Sequence, residues 1–124
     1  MKKLHTLFAG LVIAATVMLT FGQTLAVASP VNGPKYDVHS VRAYSSDIYS
    51  VTFRGGERGT ILVSGDGDTD LDLYVYDQNG RLLGSDTDYS DDCVVVIYPR
   101  WTQTVRIVVK NRGSVYNRYE IAAI

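Results

Sequence analysis

The chain has 124 residues, 46% of them hydrophobic and 20% charged, at a formal net charge of −1. That length suits one ordinary domain rather than two, and that balance is globular rather than disordered. The absence of a basic excess argues against a nucleic-acid partner, and a single cysteine excludes a disulfide-stapled miniature fold.

Residues 1–28 read as a signal peptide. Lys2 and Lys3 supply the positive start, Leu7 to Phe21 the apolar centre, and Ala26-Val27-Ala28 the small-x-small pattern of a cleavage site. The expected cut falls after Ala28. The competing reading is a retained anchor, because the apolar run is only a little short of the roughly 20 residues a membrane span needs. No cysteine follows the run to carry a lipid. Cleavage leaves 96 residues at a net charge of −3, secreted or periplasmic, with no membrane segment remaining. A domain of that size buries a real core with little stability to spare.

Residues 29–36 (SPVNGPKY) hold two prolines and a glycine and are expected to form an extended lead-in to one domain over 37–124. The first strands are expected at Val38–Tyr44, Ile48–Phe53 and Thr60–Ser64, punctuated by Gly55-Gly56 and Gly65-Asp66-Gly67. In the next, Leu71, Leu73 and Val75 face one side, while Asp70, Asp72, Tyr74 and Tyr76 face the other, the period of a half-buried strand. Asn79-Gly80 supplies a hairpin turn before Arg81–Ser85. Cys93–Tyr98 is apolar and β-branched on both faces, which predicts a central strand covered on both sides. Val105, Ile107 and Val109 alternate against Arg106 and Lys110, and Tyr119–Ile124 closes the chain. Beyond the leader, no ten-residue window carries a helical stripe. Seven to eight short strands predict an all-β, antiparallel β-sandwich.

Charge is unevenly placed. Asp66 to Asp92 holds nine aspartates against one arginine, and Cys93 to the end holds five basic residues against one glutamate. Asp66, Asp68, Asp70 and Asp72, with Asp86, Asp88, Asp91 and Asp92 from a second loop, are candidate calcium ligands, since alternating carboxylates can converge on one hard cation. An EF-hand is excluded: its glycine position is Leu71 and its twelfth residue is Asp77. Two readings compete with calcium. The aspartates can cap their own turns, or Arg106, Arg112 and Arg118 can neutralise them across the sandwich.

Tyr74, Tyr76 and Trp101 are candidate binding residues, because exposed rings offer contact area at low entropy cost. Against this, tyrosine is an ordinary strand residue, and the favoured reading of Trp101 is a plug at one end of the sandwich. Support for catalysis is thin. His39 is the one histidine after the leader and has no partner motif, and neither a Gly-x-Ser-x-Gly elbow nor a His-Glu-x-x-His helix occurs. Cys93 reads as a small buried hydrophobe, with pairing between chains as the alternative for a lone exported thiol.

From Ile48 to Ile124 the sequence resembles the bacterial pre-peptidase C-terminal domain family. The resemblance rests on Tyr49-Ser50-Val51-Thr52-Phe53, the run from Gly65 to Asp77, Asn79-Gly80, Ser85-Asp86 and Val105–Val109. It implies a secreted, jelly-roll-like β-sandwich that usually accompanies an exported enzyme. Some relatives, the collagen-binding domains of bacterial collagenases, bind calcium and an extracellular polymer. No peptidase precedes the domain in this sequence. The expected function is therefore a non-catalytic secreted binding or adhesion module, with calcium as the candidate organiser of its aspartate loops, whose partner is an extracellular protein or polysaccharide. The alternative is a structural protein that docks on another exported protein through strand edges. A hydrolase is the weakest reading.

Overall fold

The stretches of period two become eight strands in the computed structural model, which describes residues 29–124. The expected leader over 1–28 and its cut after Ala28 lie outside the described residues. The strands are β1 (Lys35–Val41), β2 (Ser46–Phe53), β3 (Gly59–Ser64), β4 (Leu71–Tyr76), β5 (Leu82–Asp86), β6 (Asp92–Ile97), β7 (Gln103–Asn111) and β8 (Asn117–Ala123). They form two four-stranded sheets, ordered β1-β8-β3-β6 and β2-β7-β4-β5, with every pairing antiparallel. Neighbours far apart in sequence and a regular exchange between sheets make this a jelly roll.

The core follows from the alternation. Leu71, Leu73 and Val75 of β4 and Val105, Ile107 and Val109 of β7 point inward and are buried. They meet Ile61 and Val63 of β3, Cys93, Val95 and Ile97 of β6, and Tyr119, Ile121 and Ala123 of β8. At about 25 cal/mol per Å2 of apolar surface, this interlocked layer is the main stabilising term. Cys93 is buried, and burial pushes its thiol up from the ordinary value.

In three places the structure differs from the sequence-based expectation. β6 is not central. It lies at the end of its sheet, with Val94 50% and Val96 43% exposed. Its outer face is apolar and uncovered, while its free edge is guarded by Asp86, whose Oδ2 accepts from the Val94 N–H at 2.9 Å. Asp72 is also buried, at 4% exposure, because the Tyr74 hydroxyl and the Arg112 guanidinium lie over its outward-facing carboxylate. The third difference concerns the lead-in, where β1 already begins at Lys35. Pro30 bridges to Phe53, and Val31 N–H and the Ser29 carbonyl bond to Thr52 and Arg54. The segment thereby caps the end of β2.

Candidate functional site

Two regions carry the residues that the sequence singles out. The first is the outer face of the β2-β7-β4-β5 sheet. Tyr74 and Tyr76 alternate with the core residues of β4, so both rings stand on this face, half-buried, with centroids 6.4 Å apart and planes 20° from parallel. The register sets Arg106 of β7 between Tyr76 and Ser50 of β2. Its guanidinium carbon lies 4.8 Å from the Tyr76 ring centroid, a cation–π contact. Arg106 is therefore committed to an aromatic ring rather than to neutralising the aspartates.

A groove of about 460 Å3 adjoins this row, lined by Ser50, Thr104, Arg106 and the Asp77–Gly80 turn. The turn is rigid for local reasons. Asp77 Oδ1 accepts from the N–H groups of Asn79 and Arg81, each at 2.8 Å, and Gly80 takes the positive φ of 85°. Gln103 Oε1 accepts from Gln78 N–H at 3.2 Å and ties the turn to β7. Trp101 lies in the β6–β7 loop at the same end of the sandwich and is 50% exposed, so it does not fill the core. Its backbone is held closely: a Cβ on Gly55 would stand 2.3 Å from the Trp101 Cα.

The second region is the opposite end, where the acidic loops gather. Most of their carboxylates serve the backbone. Asp66 accepts from the N–H groups of Asp68 and Arg118, Asp86 from Asp88 and Val94, and Asp88 from Ser90. Asp91 is buried and accepts from Gly67 N–H at 2.6 Å and from the Asn117 amide at 3.1 Å, while Asp92 accepts from the Ser64 hydroxyl. These are the capped turns that compete with the calcium reading. Arg112 pairs with Asp72 at 3.4 Å. Among the described residues, no three His, Cys, Asp or Glu side chains come together as a metal shell.

Asp70 and Asp72 stand apart. Each has a buried Oδ1 with no hydrogen-bond partner among the described residues. Burial first, and then the charge of Asp72, push the Asp70 carboxyl above its usual value, with Asp88 and Asp91 adding and Arg112 opposing. Orphaned carboxylate oxygens are hard donors of the type calcium takes, though two fall well short of its six to eight. The donors fit the ion in kind and only partly in number.

Sequence reasoning missed the residues that hold this end together. Asn111 and Asn117 are fully buried. The Asn111 amide donates to the carbonyls of Val41, Arg42 and Val115, and its oxygen accepts from the Thr69 hydroxyl at 2.7 Å. Asn117 accepts from Asp66 N–H and donates to Thr69 and Asp91. The signal was the alternation itself: each asparagine continues the inward row of its strand, Val105-Ile107-Val109-Asn111 and Asn117-Tyr119-Ile121-Ala123.

No protein-family model and no curated protein matches the chain. Solved structures do. The pre-peptidase C-terminal domain of a collagenase from Bacillus anthracis is similar at a TM-score of 0.59 and 9% identity, over 73% of this chain and 88% of that one. The fold is that of a pre-peptidase C-terminal domain. Two further structures share it at a TM-score of 0.53. PliG from Aeromonas hydrophila, a periplasmic inhibitor of g-type lysozyme, is 13% identical over 77% of this chain and 85% of its own. The mitogen derived from Yersinia pseudotuberculosis is 12% identical over 76% and 85%. At these identities the likeness concerns the pre-peptidase C-terminal fold and not any one activity. Among the described residues, no helix is long and apolar enough to cross a membrane.

Proposed function

We propose that the domain is a non-catalytic binding module that acts outside the cytoplasm and holds an extracellular polysaccharide across the outer face of the β2-β7-β4-β5 sheet. The observation that carries this reading is the row Ser50–Arg106–Tyr76, with Tyr74 beside it and the polar groove at its end. Sugars present hydroxyls on an apolar ring. Aromatic side chains beside short polar ones and a fixed turn suit that combination. The collagenase domain and the lysozyme inhibitor that share the fold are consistent with a binding role.

The acidic end takes calcium weakly in this reading, through the free oxygens of Asp70 and Asp72, with water completing the coordination. Two carboxylates imply an affinity no tighter than the ~10⁻⁴–10⁻³ M of extracellular modules. Bound ion would offset the burial, and after it the Asp72 charge, that raise the Asp70 carboxyl.

The test is retention on insoluble chitin, cellulose and collagen, with and without millimolar calcium, for the parent and Tyr76→Ala. Retention on a polysaccharide that falls about tenfold in Tyr76→Ala supports the proposal. Absence of retention, or equal retention by the variant, removes it. The calcium reading is separate and is checked by melting: a rise of several degrees with the ion is expected, and identical melts with calcium and with chelator would end it.

A second reading has its own observation. On the outer face of the other sheet the register aligns Tyr36, Ala122, Leu62 and Val94 across β1, β8, β3 and β6, an apolar row that leaves Tyr36 and Val94 exposed. Such a row fits docking on another exported protein. Co-purification of one such protein, abolished by Val94→Lys and unaffected by Tyr76→Ala, would favour it.

A further inference from the structure

At one side of the sandwich, positions that belong to the core by alternation are polar. β1 and β2 are the edge strands there. Their inward-facing positions are Lys35, Asp37 and His39, ahead of buried Val41, and Asp47, Tyr49 and Val51, ahead of buried Phe53. Inward charge protects a sheet edge from pairing with other chains. Here it also lines a slot. A cavity of about 270 Å3 opens between the two strands, floored by Val51, Ile107, Ile121 and Ala123 and rimmed by Lys35, Asp37 and Tyr49.

The rim is built rather than loose. Tyr49 donates its hydroxyl to Asp37 Oδ2 at 3.0 Å and stands 2.7 Å from the Tyr119 hydroxyl. Tyr119 in turn donates to Asp47 Oδ2 at 2.7 Å, and His39 Nδ1 lies 2.8 Å from that same oxygen. Desolvation pushes both phenols well above their ordinary value, so both remain donors. Asp47 Oδ2 is thus committed to Tyr119 and His39. Asp37 is exposed, and among the described residues its Oδ1 takes no hydrogen bond.

We propose that this slot binds a small primary amine bearing an apolar group, with the ammonium on Asp37 and the apolar group on the Val51–Ile107–Ile121–Ala123 floor. The volume is just below the ~300 Å3 at which ordinary small-molecule pockets begin, which limits the apolar part to a short aliphatic chain or a single ring. An ammonium brings three donors and no acceptor, which suits the carboxylate oxygen that Asp37 leaves open on the rim. A carboxylate in the same place would meet Asp37 at the rim and Asp47 behind it, with Lys35 as its counter-charge. The site lies between the sheets and shares only Ser50 with the lining of the polymer groove, so its fate is independent of that reading.

The experiment titrates the purified protein with isoamylamine, isoamyl alcohol and isovalerate, three probes on one carbon skeleton, followed by calorimetry and amide NMR. Saturable binding of the amine is expected, with shifts at Tyr49, Val51 and Ile121, and an alcohol about tenfold or more weaker, the difference one charge-assisted hydrogen bond makes. Asp37→Asn, at an exposed position, is expected to lower amine affinity by a similar factor while polymer retention is unchanged. Lys35→Gln leaves that affinity equal or raises it. Failure of the amine to saturate, preference for isovalerate, unchanged affinity in Asp37→Asn, or loss in Lys35→Gln would each overturn the proposal.

Discussion

Tyr119→Phe isolates one hydroxyl in the core and gives two linked readouts. The ring stays buried and keeps its edge-on packing against His39, at 6.5 Å between centroids and 70° between planes. What is lost is the hydrogen bond to the Asp47 carboxylate and the contact with the Tyr49 hydroxyl. A bond to a charged acceptor contributes about 1.5–3 kcal/mol. Asp47 retains His39 and Tyr49 retains Asp37, so no buried group is orphaned and the lower half of that range applies, about 2 kcal/mol. For a domain of this size each kcal/mol is about 4–8 °C, so the melting temperature at neutral pH should fall by about 8–16 °C.

The alkaline behaviour has the opposite sign. Burial first, and then Tyr49 and Asp47, hold the Tyr119 phenol far above its ordinary value of 10.0. Above pH 10 the unfolded chain gives up a proton that the folded chain keeps, so the unfolded state binds fewer protons and stability declines as pH rises. The decline is about 1.4 kcal/mol per pH unit for this group. The phenylalanine variant lacks the group and is spared. The gap between the two proteins should therefore close from about 2 kcal/mol at pH 8 to less than about 1 kcal/mol at pH 11. Urea unfolding followed by Trp101 fluorescence measures both points, and Tyr49, common to both proteins, largely cancels. Equal stability at pH 8, or a gap as wide at pH 11 as at pH 8, would refute the account of the Tyr49–Tyr119–Asp47 chain.

The acidic end and the core offer two more tests. A Cβ on Gly65 would stand 2.3 Å from Asp91 Oδ2 and 2.7 Å from Asn117 Oδ1, so Gly65→Ala must break the junction of three loops and should cost about 2–4 kcal/mol by urea midpoint. Gly67→Ala, where nothing lies within 4 Å but φ is +88°, should cost only backbone strain of about 1 kcal/mol, and equal losses at the two sites would show that strain rather than contact governs. Cys93, 1% exposed and donating to the Leu71 carbonyl at 3.2 Å, should resist a thiol reagent at pH 8 until denaturant is added. Rapid labelling of the native protein would mean that β6 opens at its edge.

The inward rows were legible residue by residue. Alternation placed Leu71, Leu73, Val75, Val105, Ile107 and Val109 on the face where the structure buries them. It could not place β6, because a run such as Cys93–Tyr98 reads the same whether its outer face is covered or open, and sheet order depends on partners distant in sequence. Asp72 faces the side expected of it and is buried nonetheless, since its cover comes from Arg112, forty residues away. The aspartates were legible as turn residues, but which carboxylate oxygen finds a backbone donor is decided by loop geometry. Asp91 Oδ2 accepts two hydrogen bonds and Asp70 keeps an orphan oxygen for that reason alone. Asn111 and Asn117 sat in plain view within inward rows, where buried amides suggest carbonyls in need of donors. The Tyr76–Arg106 contact was hidden by the expectation that arginines seek carboxylates.

The place of β8 between β1 and β3 has a consequence for how the chain acquires structure. Lys35 pairs with Ala123 and Ile61 with Ala123, so neither of the earlier strands has its inner partner until the final strand has been synthesised. Within the β1-β8-β3-β6 sheet the β3–β6 pair can form first, but β1 joins it only through β8. The sheet is therefore completed by a late, long-range pairing, slow in the manner of topologies dominated by distant pairings. Deletion of Asn117–Ala123 would leave β1 and β3 with no common seam to join.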